Sequence, residues 1–399
     1  MTLTTEERRL VDPIERAPLL DQTLAWAAIN SGTANLTGLA AMADQLAAAF
    51  AQLPGRIELV DPLPVERIGA DGAPQTVGHG RHLIVRVRPH APRRVLLTGH
   101  MDTVYPADHP FQSCDWIDDQ TLRGPGVADM KGGIAAMLAG LSAFEARQPA
   151  LGYDVLINSD EETGSLSSAA LIREYAGAKL AALTYEPALP GGMMARARPG
   201  SGNFAAVVTG RSAHAGRNPE DGRNALLAAA DLALRLAAGA RSGLSVNPAR
   251  IDGGGPDNVV PDHAVLRFNM RPREPQDAAD AQALIDASIA GVVRLHEVTI
   301  AIHGGFRRPP KPVTPAGERL YALVARAAAD LAQPIDWRDS GGVCDGNNIA
   351  ACGVPSLDTM GVCGGLIHSP EEFLLVDSLV DRARLTALTL CRLERGDAI

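Results

Sequence analysis

Cysteine and positive charge are both scarce in this chain of 399 residues. The five cysteines are odd in number and none belongs to a CxxC pair, which favours reduced, mostly buried thiols. The net charge of -9 provides no basic field from which nucleic-acid binding could gain counterion release. Nucleic acid is therefore excluded as the main partner, although local arginine clusters could still hold a small acidic ligand.

Long uncharged apolar runs are also missing from the sequence. No apolar window reaches about 18 uncharged residues, the length that a membrane span needs. Residues 1–20 are polar and contain no apolar core of the signal-peptide type. We therefore expect a cytoplasmic protein without a membrane partner. A content of 46% hydrophobic and 21% charged residues is typical of soluble globular proteins, and the length favours two or three domains.

Apolar strands alternate with helical periodicity in the first half of the chain. The predicted elements are helices near 24–29 and at 35–50, 134–146 and 166–176, and strands at 57–60, 83–87, 93–98, 153–157 and 180–185. This alternation predicts an α/β fold, in which helices cover both faces of a mostly parallel sheet. Ligands of such sheets bind at the carboxyl ends of the strands.

The pattern changes near residue 199. The sequence there predicts a compact α+β insert with strands at 204–209, 264–269 and 297–302 and helices at 224–238 and 275–295. A proline-rich return linker follows at 308–312. We therefore predict one domain from residues 1–198 and 310–399, and an inserted domain from 199–309. The later elements of the first domain are a helix at 318–331, a loop at 340–348, a strand at 355–359 and a helix at 379–393.

Three consecutive acidic residues at 160–162 follow the apolar strand at 153–157. Ionised side chains are costly away from water unless they are paired or bound to a cation. One interpretation is a solvated turn in which Thr163 or Ser165 caps the helix at 166–176. The other is a metal site, which gains weight because other strand ends in the chain carry similar residues.

Two histidines and four carboxylates lie at or just past predicted strand ends, so one crevice could collect them. They are His100, Asp129, Glu161, Glu162, Glu186 and His368. These ligand types fit zinc, with cobalt or manganese as possible substitutes. Five ligands with a bridging aspartate suit a two-ion centre, in which the ions are typically about 3.5–4 Å apart. Two dications against three carboxylate ligands leave one positive charge, which a bridging hydroxide would neutralise.

Two shorter patterns are weak when taken alone. In the pair His100 and Asp102, the carboxylate would accept a hydrogen bond from the ring nitrogen that is not on the metal. The alternative is a loop histidine bonded to a neighbour. Residues 124–129 imitate a dinucleotide-binding fingerprint, but its final glycine is replaced by Asp129 and Pro125 removes an amide. Nucleotide binding is therefore disfavoured.

Five motifs in this order resemble one family over nearly the whole chain. They are His100-Met101-Asp102-Thr103-Val104-Tyr105, the stretch 124–133 around Asp129, Asp160-Glu161-Glu162-x-Gly164-Ser165, Glu186-Pro187 and His368-Ser369. The chain is similar to the dizinc exopeptidases and deacylases that include aminoacylase and acetylornithine deacetylase. It most resembles glutamate carboxypeptidase of the carboxypeptidase G type.

The resemblance implies a catalytic domain with two zinc ions per subunit. Asp129 would bridge the ions, His100 and Glu186 would complete one site, and Glu162 and His368 would complete the other. Glu161 would be the general base that takes a proton from a water between the ions, so that the hydroxide attacks the amide carbonyl. Extended backbone would point the adjacent glutamates in opposite directions. The family also implies a cis peptide bond between Asp129 and Met130.

The insert corresponds to the lid and dimerisation domain of the family, which implies a homodimer. His214 would reach the site of the neighbouring subunit and stabilise the oxyanion. Asn258 would hold the carbonyl of the substrate, and Arg271 would hold its carboxylate with a planar fork. The alternatives are a solvated loop histidine for His214 and a surface residue at a strand edge for Arg271.

We expect a hydrolase that releases a carboxyl-terminal glutamate or aspartate from a small acyl or peptidyl substrate. An N-acyl-amino-acid deacylase would use the same ions with a different pocket, and a third possibility is a family member without chemistry. Three positions depart from or add to the pattern. Met130 replaces a residue that is often acidic or asparagine, while Cys344 and Cys363 lie in glycine-rich loops before His368. Either cysteine could ligate metal or simply pack.

Overall fold

The computed structural model describes residues 3–397, which form two units. Unit 1 comprises the chain up to Leu63, Gly78–Ala197 and the chain from Val313, whereas unit 2 comprises Pro64–Val77 and Arg198–Pro312.

The helices are, in chain order, α1 (Thr5–Val11), α2 (Arg16–Ala27), α3 (Leu36–Phe50), α4 (Gly132–Glu145), α5 (Ala169–Ala176), α6 (Ala225–Ala238), α7 (Pro275–His296), α8 (Pro315–Asp330), α9 (Asp345–Ala350) and α10 (Asp377–Arg395). The strands are β1 (Arg56–Val60), β2 (Val65–Ile68), β3 (Pro74–Val77), β4 (His82–Val87), β5 (Arg94–His100), β6 (Asp115–Asp118), β7 (Thr121–Arg123), β8 (Gly152–Asn158), β9 (Ala181–Thr184), β10 (Met194–Ala195), β11 (Ser201–Thr209), β12 (Leu244–Gly253), β13 (His263–Pro272), β14 (Thr299–Arg308), β15 (Trp337–Arg338), β16 (Ser356–Leu357), β17 (Gly364–Gly365) and β18 (Phe373–Leu375).

A six-stranded sheet organises unit 1, with the strand order β1-β4-β8-β5-β9-β16. The four strands β8, β5, β9 and β16 run parallel, and β1 and β4 add an antiparallel edge. Every residue of β8 is buried, as expected for a strand covered on both faces. The α/β fold with a mostly parallel sheet is therefore confirmed.

Helix α4 and the turn before it form the most apolar segment of unit 1. Val127–Glu145 is long and apolar enough to cross a membrane by length and composition, but 83% of an 18-residue window within it is buried inside the protein. This burial is that of a core helix. Its glycines allow close packing: a Cβ at Gly140 would lie 2.7 Å from Thr386 of α10.

A second, smaller sheet in unit 1 has the order β17-β18-β7-β6. Its strands are two to four residues long, and Leu374 of β18 pairs with Leu122 of β7 in its buried centre. Such short strands carry little periodic signal, so the sequence did not predict this sheet.

Unit 2 contains an antiparallel four-stranded sheet with the order β12-β13-β11-β14. Helices α6 and α7 cover one face, where Phe204 and Phe268 stack with ring centroids 4.9 Å apart. The α+β character of the insert follows the prediction, but β12 was not predicted. Pro248 interrupts its pattern at a bulge, and proline is tolerated there because β12 is an edge strand.

The predicted domain division needs one correction. The segment Pro64–Val77, placed in the larger domain by the sequence, belongs to unit 2. Its hairpin β2–β3 meets β13, since the Arg267 guanidinium donates to the Ile68 carbonyl at 2.6 Å. A Cβ at Gly72 would lie 2.8 Å from the His263 ring, so this glycine permits a close approach.

Most of the other predicted elements lie within a few residues of the observed ones. The loop predicted at 340–348 instead includes the start of α9, whose first residue is Asp345. The helix predicted at 166–176 begins only at Ala169 with Ser168 as its N-cap, so neither Thr163 nor Ser165 caps it. It ends before Gly177, as predicted.

Candidate metal centre

Three of the predicted site segments follow the carboxyl ends of three adjacent strands in the main sheet. His100 is the last residue of β5, and the pairing of β5 with β8 places it beside Asn158 at the end of β8. Thr98 of β5 pairs with Thr184 at the end of β9, two residues before Glu186. Glu161, Glu162 and Glu186 therefore follow the two strands that flank His100.

Asp129 lies in a tight turn that leads into α4. The turn at Val127–Lys131 has non-helical backbone at Asp129 and Met130, and it is preceded by Gly126, whose φ of 72° suits glycine. The peptide bond between Asp129 and Met130 is cis, as the family resemblance implied.

His368 comes from the loop between β17 and β18, with a φ of 63°. His368 lies just past a strand end, as predicted, but this strand is β17 of the smaller sheet, and Asp129 lies in the turn before α4. Both are carried by segments that adjoin the smaller sheet rather than by strand ends of the main sheet. The smaller sheet supplies the second side of the crevice.

Asp129 stands between the two histidines. Its Oδ1 lies 3.1 Å from His100 Nε2, and its Oδ2 lies 3.3 Å from His368 Nε2. His368 Nε2 is also 3.2 Å from Glu162 Oε2, and His100 Nε2 is 3.9 Å from Glu186 Oε1. One carboxylate therefore directs a separate oxygen toward each half of the site.

These distances define two groups of candidate ligands that share one member. The His100 group is His100, Asp129 and Glu186, and the His368 group is Asp129, Glu162 and His368. Within each group the ligand atoms all lie within 4.8 Å of one another. Both groups match the split between two ions that the family resemblance implied, although the ligand roles themselves stay predictions.

Charge interactions strongly perturb the titration of both groups. Burial raises the pKa of Glu162 to about 8, and the nearby Asp129 carboxylate adds to the effect. Hydrogen bonds to Asp129 and Glu162 raise the pKa of His368 to about 11. Burial opposes protonation of His100, but the surrounding carboxylates outweigh it and raise its pKa well above the usual value. Without metal, the site thus retains protons that balance its carboxylates.

Asp102 fixes several groups around His100. Nδ1 of His100 is 2.9 Å from the backbone carbonyl of Asp102 and 3.5 Å from its carboxylate Oδ1. The nearer partner is therefore the carbonyl, not the carboxylate as predicted. The carboxylate instead accepts the backbone N–H groups of Glu161 and Glu162, each at 3.2 Å, and the hydroxyl of Thr33 at 2.8 Å. It therefore holds the two glutamates at their backbone.

Glu161 and Glu162 lie in a 3₁₀ turn, not in extended backbone. The predicted reason for their opposite directions is therefore wrong. In a 3₁₀ turn of about three residues, successive side chains still diverge by roughly a third of a turn. Glu162 accordingly belongs to the His368 group, whereas Glu161 belongs to neither group of candidate ligands.

The departures from the family pattern have structural partners. The thioether sulfur of Met130 accepts a hydrogen bond from the backbone N–H of His100, with the sulfur 3.2 Å from the nitrogen. The Cys344 side chain accepts from the Gly346 amide at the start of α9, and Arg382 donates to Cys363 at 3.5 Å. Neither cysteine is part of the two candidate ligand groups.

All five cysteines are free, but fewer are buried than predicted. Cys344 and Cys391 are buried, Cys114 and Cys363 are half-buried, and Cys352 is exposed.

Sequence reasoning missed Glu372 and assigned no role to Tyr105 or Lys131, although both lie in motifs that carry the family resemblance. The Glu372 carboxylate is only 1% exposed and accepts hydrogen bonds from Tyr105 and from the backbone before Asp129. Burial raises its pKa to about 7. Lys131 donates to the Ile29 carbonyl at 2.8 Å, and burial lowers its pKa to about 8. An acidic residue next to the apolar run of β18 was the available signal for Glu372, the same signal that identified residues 160–162.

The remaining predicted residues lie in unit 2. His214 forms a bridge with Val259, and the Ala215 amide donates to the Asn258 carbonyl at 2.9 Å, so His214 and Asn258 are neighbours. The Gly216 amide donates to Nδ1 of His214 at 3.1 Å, which leaves the proton of a neutral ring on Nε2. Arg271 lies on β13, where its Nε donates to the Asn269 side chain at 3.2 Å.

The two ligand groups fit divalent ions on chemical grounds. Each combines one imidazole with carboxylates, a donor set that zinc, cobalt and manganese accept. Three buried or half-buried carboxylates would be costly without nearby positive charge, and divalent ions would supply it in place of the protons on the two histidines.

Similarity to known proteins agrees with this geometry. The chain is 28% identical to carboxypeptidase G2 of Pseudomonas sp. (strain RS-16) over 333 residues, which cover 79% of this chain and 78% of that protein. It is 30% identical to the succinyl-diaminopimelate desuccinylase of Xanthomonas oryzae pv. oryzae (strain PXO99A) over 328 residues, with coverage of 76% and 84%.

Solved structures share the fold. Aminopeptidase PepT from Bacillus cereus ATCC 10987 has a TM-score of 0.72 at 22% identity, covering 94% of this chain and 98% of that chain. The M20 family metallo-carboxypeptidase Sso-CP2 from Sulfolobus solfataricus has a TM-score of 0.71 at 15% identity, with coverage of 93% and 98%. Peptidase family M20/M25/M40 matches residues 96–392. This chain therefore belongs to peptidase family M20/M25/M40 and is a metal-dependent peptidase or related hydrolase.

Proposed function

We propose that the protein is a two-ion carboxypeptidase that releases a carboxyl-terminal glutamate or aspartate from an acyl or peptidyl donor. The observation that carries the two-ion part is the position of Asp129, whose two oxygens face two different histidines at 3.1 and 3.3 Å. Similarity to carboxypeptidase G2 supports the choice of a carboxypeptidase. We propose zinc as the native metal, with cobalt or manganese as substitutes.

His100, Asp129 and Glu186 would hold one ion, and Asp129, Glu162 and His368 would hold the other. Bound divalent ions supply Lewis acidity, which polarises a carbonyl and lowers the pKa of water. Glu161 is 8% exposed at the edge of this centre, and its backbone is fixed by Asp102. In this proposal its carboxylate takes a proton from the attacking water and later passes it to the leaving nitrogen.

Arg271 would read the free carboxylate of the substrate. A guanidinium binds a carboxylate through two parallel hydrogen bonds, and Asn269 orients the Arg271 side chain by accepting from its Nε. Asn258, in the loop between β12 and β13, would bind the carbonyl of the substrate.

A deacylase that acts on N-acyl amino acids is the second candidate. The observation that favours it is the 30% identity to succinyl-diaminopimelate desuccinylase, over 84% of that protein. A panel of N-acyl and peptidyl glutamates and aspartates, next to succinylated amines, separates the two. Preferred hydrolysis of the succinylated amines would contradict the carboxypeptidase proposal.

The Arg271→Ala variant tests whether Arg271 binds the carboxylate of the substrate. A charge-assisted pair contributes about 1.5–3 kcal/mol, so KM for acidic-terminal substrates should rise by about tenfold to a hundredfold. KM for the same substrates with an amidated terminus should change little. Arg273→Ala, two residues further on and exposed, is the matched control. Equal losses on both substrate types would show that Arg271 does not read the carboxylate.

We further propose that the working enzyme is a cytoplasmic homodimer in which His214 acts on the site of the other subunit. Leu227 and Leu234 support an interface, because they are 60% and 72% exposed and lie two turns apart on α6. Nε2 of His214 would donate to the oxyanion, a contribution of typically about 2.7–4 kcal/mol.

Mixed dimers of two inactive variants test this arrangement. A dimer of His214→Ala with Glu161→Gln would contain one site with both residues intact, so mixing the proteins should restore about half of the wild-type sites in each heterodimer. Subunit exchange is verified with two differently tagged chains. Exchange without recovered activity would overturn the action of His214 across the dimer.

A further inference from the structure

We propose that Glu372 is a positioning residue, which presents Asp129 to both halves of the metal centre and thereby sets the affinity for both ions. The inference rests on the proposed two-ion function. Glu372 is not a member of either candidate ligand group. It would therefore act through the backbone of Asp129, whose N–H donates to it.

Both carboxylate oxygens of Glu372 are used by that backbone. Oε1 accepts the N–H groups of Ala128 and Asp129, each at 3.0 Å. Oε2 accepts the N–H of Gly126 at 3.1 Å and the hydroxyl of Tyr105 at 2.9 Å. The side chain is 1% exposed, so these four donors replace the water that a carboxylate would otherwise need.

The position of these donors explains why one carboxylate can fix the turn. The turn that precedes α4 has irregular backbone, so its N–H groups are not part of the hydrogen-bond pattern of the helix, and a buried carboxylate can satisfy them. Three such groups converge on Glu372 from residues 126–129. The last of them belongs to Asp129 itself, so a single hydrogen bond joins the Glu372 carboxylate to the backbone of the candidate bridging residue.

Glu372 also connects this turn to the segment that carries His368. The Gly124 amide donates to the Glu372 carbonyl at 3.1 Å, and the Glu372 amide donates to the Ser369 carbonyl at 3.1 Å. The single hydroxyl hydrogen of Tyr105 is shared between this Ser369 carbonyl at 2.7 Å and Oε2 of Glu372 at 2.9 Å. Because Ser369 follows His368 directly, the contacts of Glu372 hold Asp129 and His368 in one arrangement.

The Glu372→Gln variant removes this function with the smallest change in shape. A glutamine offers one acceptor oxygen, and its NH₂ group would face N–H or O–H donors that a carboxylate oxygen now satisfies. We expect both ions to bind about 10–100-fold more weakly, the range typical of residues that orient metal ligands. The measurement is a chelator competition titration with Zn²⁺ on the full chain.

Glu371→Gln is the matched control, because Glu371 is the adjacent residue and is exposed. Its ion affinities should equal those of the wild type. A purely structural role of Glu372 would lower the urea midpoint of the metal-free protein without changing ion affinity in the folded state. A positioning role predicts weaker binding of both ions by protein that is folded, and activity that recovers when Zn²⁺ is raised to saturation.

Tyr105→Phe provides a second test if Glu372→Gln does not fold. It removes one hydrogen-bond donor to Glu372 and leaves every charge unchanged. The affinity for both ions should therefore fall by only about twofold to tenfold, as expected for the loss of one hydrogen bond from an uncharged donor. Wild-type ion affinities in a folded Glu372→Gln protein would overturn the role of Glu372 and leave the proposed function standing. A wild-type chain that binds no divalent ion would overturn the proposed function, and this inference with it.

Discussion

The two halves of the metal centre differ in how firmly their histidines are held. His100 ends a central strand, is 1% exposed, and is bonded at its amide to Met130 and at Nδ1 to the Asp102 carbonyl. The side chain of His368 is 53% exposed and comes from a loop between two short strands. One candidate ligand is therefore held in place by the protein, whereas the other is freer to adjust.

This difference predicts that the two ions bind with unequal affinity. Preorganised ligands lose less conformational entropy on binding, so the His100 group should bind its ion more tightly. The ion of the His368 group should exchange faster and face the solvent. In the proposed two-ion centre, the shared Asp129 would couple a tight site to a labile one.

Asp129→Ala should have the largest effect on bound metal, because it removes an oxygen from each group at once. We expect the metal content to fall from about two ions per chain to almost none, as measured by elemental analysis after gel filtration. Asp119→Ala, an exposed aspartate, is the control. Retention of one ion at unchanged affinity would show that Asp129 does not bridge the halves.

Removing either histidine should cost one ion, and the two variants break the comparison directly. His368→Ala should lose the labile ion and leave the affinity of the tight ion within about threefold of wild type. His100→Ala should lower the affinity for the tight ion by more than about 100-fold, beyond the range for residues that only orient a ligand. Zn²⁺ titrations measure both, with the exposed His90→Ala as control. The opposite order of affinities would invert the comparison.

Ion binding should release protons and weaken as the pH falls. In the metal-free site the pKa of His368 is raised to about 11 and that of His100 is raised as well, so both rings are protonated near neutral pH. A proton must leave each ring before it can ligate an ion, and the carboxyl of Glu162, whose pKa is raised to about 8, must lose one as well. About three protons should therefore be released near neutral pH, and below pH 8 the affinity should rise roughly tenfold per pH unit for the ion of the His100 group and more steeply for the ion of the His368 group. Calorimetry in buffers of different ionisation enthalpy counts the protons. His368→Ala should release about two protons fewer, because it loses the ion that displaces the protons of His368 and Glu162, and an unchanged count would contradict the assignment.

Glu161→Gln should have the smallest effect on metal, because Glu161 lies outside both ligand groups. Both ions and substrate affinity should remain, while kcat falls by about two to four orders of magnitude, as expected for a lost general base. Glu162→Gln should instead weaken the ion of the His368 group, and the exposed Glu174→Gln should change neither property. If the two adjacent glutamates exchanged these phenotypes, the split of their roles would be wrong.

The sequence located the residues of this centre better than the reasons for their positions. Apolar runs such as 153–157 identified the strand ends that carry His100 and the two glutamates, since burial on both faces leaves a strong pattern. The turn at Glu161 and Glu162 could not be read in the same way, because it depends on their amides reaching Asp102 across the fold. Such contacts join residues far apart in sequence.

Elements with a weak local pattern were the ones missed. Strands β17 and β18 have two and three residues, so their pairing is set by tertiary contacts. Strand β12 was hidden by Pro248 and by its exposed edge position. Glu372 was missed for a related reason, since its importance lies in the four hydrogen bonds it accepts and not in a recognisable motif.

The assignment of the β2–β3 hairpin to unit 2 means that the chain passes between the units after Leu63, Val77, Ala197 and Pro312. A contiguous fragment of residues 198–312 would therefore lack a native part of its own fold. It would leave the Arg267 guanidinium without the Ile68 carbonyl and would uncover the surface of His263 that Gly72 approaches. Attempts to transplant this unit onto another scaffold, or to replace it with a short loop, must therefore carry the distant hairpin along with it.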